Sequence, residues 1–317
     1  MVKTEVLIIG GGPAGSSCAR RLKQAGVNCI VLDKAAFPRF KPCAGWITPQ
    51  VLNWAQVDAE SYPFGLTEFT SFDVSIRGIK FKLPTHQYAI RRYEFDRWLL
   101  QRAAPEFYVH EVREIRQENG EYVVDGEFTA HYLVGAGGTA CPVQRTFFSA
   151  TTPRPQASLI VAQEEEFKYD LKDIRCKLWF FENKLPGYAW YVPKKDGYVN
   201  VGLGGFAQNL KRNGDTLKNH WNLLVKHLEE SGLVTGHVYK PAGHSYTLRQ
   251  KLTEVRIGNA FLAGDSLGLA TLDMGEGIGP AIRSGQLAAE AILSGADYSV
   301  ASIPRYSFPS LLGIRKE

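Results

Sequence analysis

Gly10, Gly12 and Gly15 have the spacing a backbone needs to close around a pyrophosphate. The first permits a tight turn, the second lets the chain approach phosphate oxygens, and the third lets a helix pack closely on a strand. The run Gly10-Gly11-Gly12-Pro13-Ala14-Gly15 follows five residues, Glu5 to Ile9, that read as a buried strand, and precedes a helix-forming stretch, Ser16 to Ala25, closed by Gly26. A second apolar run, Val27 to Leu32, closes on Asp33, placed to hold ribose hydroxyls, with Lys34 next in line. Glycines alone are weak evidence. With the strand before, the helix after and the acid about twenty residues on, they predict a dinucleotide site on one βαβ unit.

A second acid lies far along the chain. Ala260 to Ala263 is an apolar strand ending in Gly264-Asp265, and Gly275-Glu276-Gly277-Ile278-Gly279-Pro280 leads into a small-residue helix over 281–293. In a plain NAD dehydrogenase the first motif stands alone. A distant Gly-Asp brings a second carboxylate to the middle of FAD, and a helix starting near Gly277 would point about half a positive charge at the flavin ring. The same glycines also serve simply to turn the chain into a helix with Pro280 in its first turn.

Length and composition narrow the rest. A chain of 317 residues has room for two domains, and 44% apolar content is ordinary for a globular protein. The net charge of +5 comes without a dense basic block, so nucleic acid is not an expected partner; an acidic electron donor, an anionic cofactor or a lipid headgroup surface fits it as well as plain solvation does. Five scattered cysteines (Cys18, Cys29, Cys43, Cys141, Cys176) form no Cys-x-x-Cys pair, and His86, His220, His237 and His244 have no ligand spacing, so neither a disulfide framework nor a metal site is expected. The first strand begins almost at Met1 and no apolar run approaches the ~18 residues of a span, which predicts a cytoplasmic protein, at most peripheral to a membrane.

The elements between the two acids change texture. A basic, proline-rich loop, Lys34 to Trp46, precedes a helix over 48–55. Alternation over 67–83 predicts two strands turning near Arg77-Gly78, and 93–104 returns to helical spacing. Residues 109–116, 122–124 and 127–134 read as a three-stranded meander. Strands over 158–167, 174–181, 188–192 and 198–202 predict an antiparallel sheet with a tight turn at Lys194 to Gly197, and 216–231 is an amphipathic helix ended by Gly232. The expected fold class is α/β. A Rossmann-type FAD-binding domain (1–66, 86–153 and 251–297), with parallel sheet and meander, is split by an antiparallel-sheet substrate domain (67–85 and 154–250), and 298–317 forms a C-terminal tail.

The chain resembles the geranylgeranyl reductase family, flavoproteins of the p-hydroxybenzoate hydroxylase fold. The resemblance spans nearly the whole chain and is carried by Gly10 to Gly15, Lys41-Pro42-Cys43-Ala44-Gly45, Arg92-Tyr93-Glu94-Phe95-Asp96, Gly187-Tyr188-Ala189-Trp190-Tyr191-Val192-Pro193, and Gly264-Asp265 with Gly275 to Ile278. It implies bound FAD, with Cys43, Ala44 and Gly45 beside the cofactor and Arg92 near its phosphates or ribityl chain. It also implies a hydrophobic small-molecule substrate against the Tyr-x-Trp strand, and reduction of isoprenoid carbon–carbon double bonds by hydride from reduced flavin. Gly137, in Gly135-Ala136-Gly137-Gly138, stands where hydroxylases of this fold carry an Asp that serves FAD and NADPH, so the donor is left open between NADPH and a ferredoxin-like protein. Ala44 and Trp46 replace smaller residues of the family pattern. Alternatives of the same fold are a flavin monooxygenase or halogenase, or an electron-relay flavoprotein.

Three residues are the candidates for catalysis. Cys43 lies near Arg39 and Lys41, where a thiol can be activated, and reads equally as a small packing residue. Tyr188 and Trp190 are two apart and share one strand face, which serves either as the roof of a pocket or as core. The tail Tyr306 to Lys316, apolar with a basic end, offers a contact to a membrane surface or packs back on the body.

Overall fold

The computed structural model describes residues 1–307 and 309. β1 (Val2–Ile9) enters the glycine turn, α1 (Pro13–Gln24) starts with proline at its first position, and β2 (Cys29–Asp33) returns parallel to β1, Val6 to Ile9 opposite Cys29 to Leu32. Proline fits there because the first-turn N–H has no helical partner to lose. β3 (Trp46–Ile47) and α2 (Pro49–Ala55) precede a long hairpin, β4 (Thr67–Ile76) and β5 (Ile79–Ala89), whose turn residues Arg77 and Gly78 both have positive φ. Then come α3 (Arg92–Ala103), β6 (Glu106–Val109), β7 (Ile115–Glu118), β8 (Glu121–Val124) and β9 (Phe128–Gly135). The middle of the chain holds β10 (Leu159–Lys168), β11 (Cys176–Phe180), β12 (Gly187–Lys194), β13 (Tyr198–Phe206), α4 (Ala207–Arg212), α5 (Leu217–Glu230) and β14 (Ala242–Thr247). β15 (Arg256–Ile257), β16 (Ala260–Leu262) and α6 (Ile278–Ser294) follow.

Two compact units result. Unit 1 comprises Met1–Arg39, Tyr93–Arg154 and Thr247–Ser307. Its sheet runs β15-β16-β9-β1-β2-β6, parallel from β16 to β6, with β8 added antiparallel to β9 and β7 antiparallel to β8. Buried on both faces, its central strands are uninterrupted apolar runs, Val6 to Ile9 and Cys29 to Leu32 among them. The stretch expected as one strand over 109–116 is two: β6 ends at Val109 in the parallel sheet, and the meander begins only at Ile115. β9 belongs to both systems, pairing with β1 on one side and β8 on the other.

Unit 2 comprises Phe40–Arg92 and Pro155–Tyr246 among the described residues. Residues 40–66 and 86–92 go with it, because β3 and β5 are strands of its sheet, ordered β14-β10-β13-β12-β11-β4-β5-β3. That sheet is mixed: β4 and β11 are parallel, Phe72 to Ile76 opposite Cys176 to Phe180. α5 covers one face. Its Trp221, Leu224 and Leu228 repeat at helical spacing and bury against Tyr191, Val199, Val201 and Leu203, each side chain giving about 1.5–3 kcal/mol. Thr216 caps the helix by accepting the Asn219 N–H at 3.2 Å. Strand alternation then turns Trp190, Asn200 and Glu164 to the other face.

Of the predicted tail, Tyr298, Val300 and Ile303 are buried in unit 1, tied by the Tyr298 hydroxyl to the Leu262 carbonyl (2.7 Å) and by Arg249 to the Val300 and Ile303 carbonyls. Phe308 and 310–317 lie outside the described residues.

Candidate functional site

In unit 1 the glycine turn is built against a second turn, the one after β9. Gly10 sits at φ +110°, and a Cβ there would stand 2.4 Å from the Ala136 carbonyl oxygen. A Cβ on Gly15 would meet the Gly10 oxygen at 1.8 Å. Gly12 differs: a Cβ would meet only the Arg39 guanidinium, at 3.5 Å, so space opens above the start of α1. No side chain caps that helix and its first turn holds no acid. Its N–H groups are therefore free to bind an anion, with the helix dipole adding attraction. This opening, lined by backbone donors and Arg39, fits a dinucleotide pyrophosphate. Asp33 is buried, accepts the N–H of Gly11 (2.8 Å) and of Ala35 (3.1 Å), and thereby fixes the turn. Arg39 lies 3.9 Å from Asp33 and 3.6 Å from the buried Asp96. Lys34 points to solvent.

The second acid arrives at the same place. Gly264, at φ +62°, lies where a Cβ would be 3.2 Å from that of Ala14 and 3.1 Å from that of Ala281, and these alanines pack with Ala263. α6 crosses α1 so closely that a Cβ on Gly285 would stand 2.0 Å from the Ala14 oxygen. Asp265 Oδ1 is 3.2 Å from a Cβ placed on Gly277, which sets the carboxylate beside the start of α6. Gly275, at φ +64°, turns the chain into that helix, whose first residue, Ile278, is buried. Gly137 is exposed beside Cys141, itself buried. The expected free N-terminus of α6 is partly taken: Glu276 accepts the Gly279 N–H at 2.6 Å. Burial, and then the nearby Asp265 and Asp273, push the Glu276 carboxyl above its ordinary pKa.

The remaining candidates, Cys43, Ala44, Gly45, Arg92, Tyr188 and Trp190, belong to unit 2. The loop carrying Cys43 is pinned to β12 and β13. Trp190 Nε1 donates to Asn200 Oδ1 (2.7 Å), and Asn200 Nδ2 donates to the Cys43 carbonyl (3.3 Å). The Cys43 thiol accepts the Gly45 N–H at 3.4 Å. Gly45, at φ +70°, has no room for a side chain, since a Cβ would meet the Ile90 oxygen at 2.2 Å and Lys194 Nζ at 2.6 Å. Gly202 is equally constrained: a Cβ would stand 2.4 Å from the Trp190 ring and 2.6 Å from the Cβ of Glu164. The Trp190 ring thus occupies the space a side chain at 202 would need, with Tyr188 next to it at 5.6 Å between centroids. Arg92 is buried at the first position of α3.

The ionisable groups on this face were not foreseen as a set. β10 carries three consecutive glutamates with three fates. Glu165 faces His237 (3.0 Å) and also accepts the Lys240 N–H. Glu166 binds Lys194 (2.6 Å) and Arg91 (2.8 Å); burial opposes its charge, but the two cations outweigh that and hold its pKa below the usual carboxylate range. Glu164, 1% exposed, makes no hydrogen bond with either carboxyl oxygen. Burial pushes its pKa up to about 7, against the pull of Lys194, Asn200 and the Cys43 amide, which lie close enough to favour charge. Near neutrality about half of Glu164 therefore carries a proton. His244 is driven the other way, to about 4, by burial first and then by Lys41 and Arg92.

Sequence reasoning named Cys43, Tyr188 and Trp190 but missed Glu164, Asn200, Gly202 and Arg39. The glycines near the end of β13 and the Glu triplet on a strand were the available signals, because alternation must turn at least one of three adjacent glutamates inward.

Residues 3–54 match the FAD binding domain family. The chain is 31% identical to an uncharacterized protein of Methanosarcina barkeri over 93% of this chain and 76% of that protein. It is 28% identical to digeranylgeranylglycerophospholipid reductase 2 of Methanopyrus kandleri over 73% of this chain and 61% of that one. The fold superposes on a geranylgeranyl bacteriochlorophyll reductase-like protein of Thermoplasma acidophilum with a TM-score of 0.79 and 23% identity, covering 94% of this chain and 81% of the other.

Proposed function

Because the chain belongs to the geranylgeranyl reductase family of FAD-dependent oxidoreductases, we propose that it saturates carbon–carbon double bonds of a prenyl or similarly hydrophobic substrate. FAD binds on unit 1, and in its reduced form supplies the hydride. Gly10 to Gly15, the free first turn of α1 and Arg39 would hold its pyrophosphate, with Asp33 fixing the turn and Asp265 reaching its central part.

The observation that carries the reading is the face of the unit 2 sheet opposite α5. The half-buried Tyr188, backed by the buried Trp190, offers apolar surface on which an alkene can lie, and beside them sits a carboxyl that is about half protonated near neutrality. Saturating an alkene needs a hydride on one carbon and a proton on the other. Glu164 would hold that proton at its carboxyl, with Cys43 as the nearer relay to substrate. Asn200 orients Trp190 and the Cys43 loop together, and the Lys194–Glu166–Arg91 pairs fix the strand beneath. Glu166 pairs with both cations, so burial prevails at Glu164 and raises its pKa to about 7, a value suited to a proton donor.

The test is chemical reduction of the protein under nitrogen, then geranylgeranyl diphosphate and a menaquinone as probes, in heavy water. Products should gain two deuteriums per reduced double bond, one at each carbon, because the N5 hydrogen of chemically reduced flavin exchanges with solvent as the donated proton does. Unchanged prenyl, quinone and enone probes would overturn the reading.

A further inference from the structure

The hairpin of unit 2 ends in an apolar surface that the proposed reaction does not use. At its tip Ile76 is 39%, Ile79 72% and Phe81 43% exposed, and Phe181, just after β11, is 46% exposed. Pairing brings them together: Ile76 lies opposite Ile79 across the turn and opposite Phe180 on β11. Glu182 then ties the 181–184 loop to the turn, accepting from the Ser75 hydroxyl (2.7 Å) and the Gly78 N–H (2.8 Å). Arg77, over the Phe181 ring at 5.9 Å, and Lys80, Lys82 and Lys184 are all exposed around this cluster. Of the carboxylates nearby, Glu182 is engaged in the turn and Asp73, opposite Lys82, pairs with Lys177 and Arg175, so the cations are in excess here.

Single exposed apolar residues are ordinary, but four large ones on a turn and the adjoining loop, with cations alternating between them along β5, mark a contact surface. The cluster also continues inward. Phe181, Phe180, Tyr188 and Trp190 form a row with centroids 6.3, 5.0 and 5.6 Å apart, from the exposed tip to a ring that is almost wholly buried.

We propose that the 76–82 turn and the 181–184 loop dock on a lipid bilayer carrying anionic headgroups. Ile79, Phe81 and Phe181 enter the boundary between headgroups and acyl chains, and Arg77, Lys80, Lys82 and Lys184 meet the phosphates. Charge selects the occupant: an electrically neutral apolar partner would leave the cations unanswered, and soluble anions would leave the rings in water. The docking rests on the reductase reading only for its consequence, that the ring row leads a prenyl chain from the bilayer toward Trp190.

The experiment is flotation of the FAD-loaded protein with phosphatidylcholine vesicles, with and without a third of phosphatidylglycerol. The wild type should float with the anionic vesicles and much less with the neutral ones. Ile79→Ser/Phe81→Ser and Lys80→Glu/Lys82→Glu should each lower the bound fraction about tenfold or more, with flavin absorbance unchanged as the check on folding. A wild type that stays in solution with both vesicles, as docking to an acidic protein would have it, overturns the proposal, as do double variants that float like the wild type. Because flotation reads partition and not turnover, failure of the reductase reading leaves this result interpretable.

Discussion

Replacing Glu164 by Gln should make the protein more stable at high pH and change it little at low pH. The carboxyl moves from 4.5 to about 7 on folding because burial penalises its charge more than Lys194, Asn200 and the Cys43 amide favour it. Between those two values the folded chain holds a proton that the unfolded chain has released. Stability therefore falls with rising pH by about 1.4 kcal/mol per pH unit over this window, and is flat again above it. The cumulative loss is roughly 3 kcal/mol, present in full above about pH 7 and absent below about pH 4.5. Gln has the same shape and no charge, so it removes the slope. An unsatisfied amide in the same site adds an offset that does not depend on pH. Glu166 and Glu276 titrate alike in both proteins and cancel from the difference. Urea melts followed by tryptophan fluorescence, at about pH 5 and about pH 8, should show the Gln variant gaining roughly 2–3 kcal/mol on the wild type across that range. A difference that stays constant with pH would mean that Glu164 titrates at its ordinary value, and the proton source assigned to it would be gone.

Other changes test neighbouring parts of the argument. Glu166→Gln frees Lys194 for Glu164, so the pKa of Glu164 should drop and its carbonyl stretch in the infrared, visible in the wild type near neutrality, should vanish there. Gly10→Ala combines φ +110° with a 2.4 Å approach to the Ala136 oxygen; the strain should cost about 1–3 kcal/mol or more and yield protein without the 450 nm flavin band at the usual cofactor concentration. Gly202→Ala should lift Trp190 from the sheet, seen as a change in tryptophan fluorescence and a raised KM for a prenyl probe, with flavin binding intact.

The first βαβ unit and the distant Gly-Asp strand were legible because each is a local pattern: an apolar run, glycines at fixed offsets, and an acid at the strand end. What failed was partnership over distance. Nothing in residues 67–76 announces that β4 pairs in parallel with β11, a hundred residues on, so the sheet read as purely antiparallel. Val109 carried the eye across 110–114 because a short parallel strand and a meander strand have similar composition, and only the pairing of β6 with β2 separates them. The Glu triplet shows the same limit at the level of chemistry. Alternation says that Glu165 faces away from Glu164 and Glu166, but three adjacent acids read most simply as a solvated charge run. Which of them stays neutral is settled by cations on other elements: Lys194 and Arg91 both go to Glu166. With both cations committed there, a second carboxylate two residues away would be buried without an ion-pair partner of its own. Keeping a proton costs less than keeping that charge, so the arrangement that stabilises Glu166 as an anion is also what leaves Glu164 as an acid.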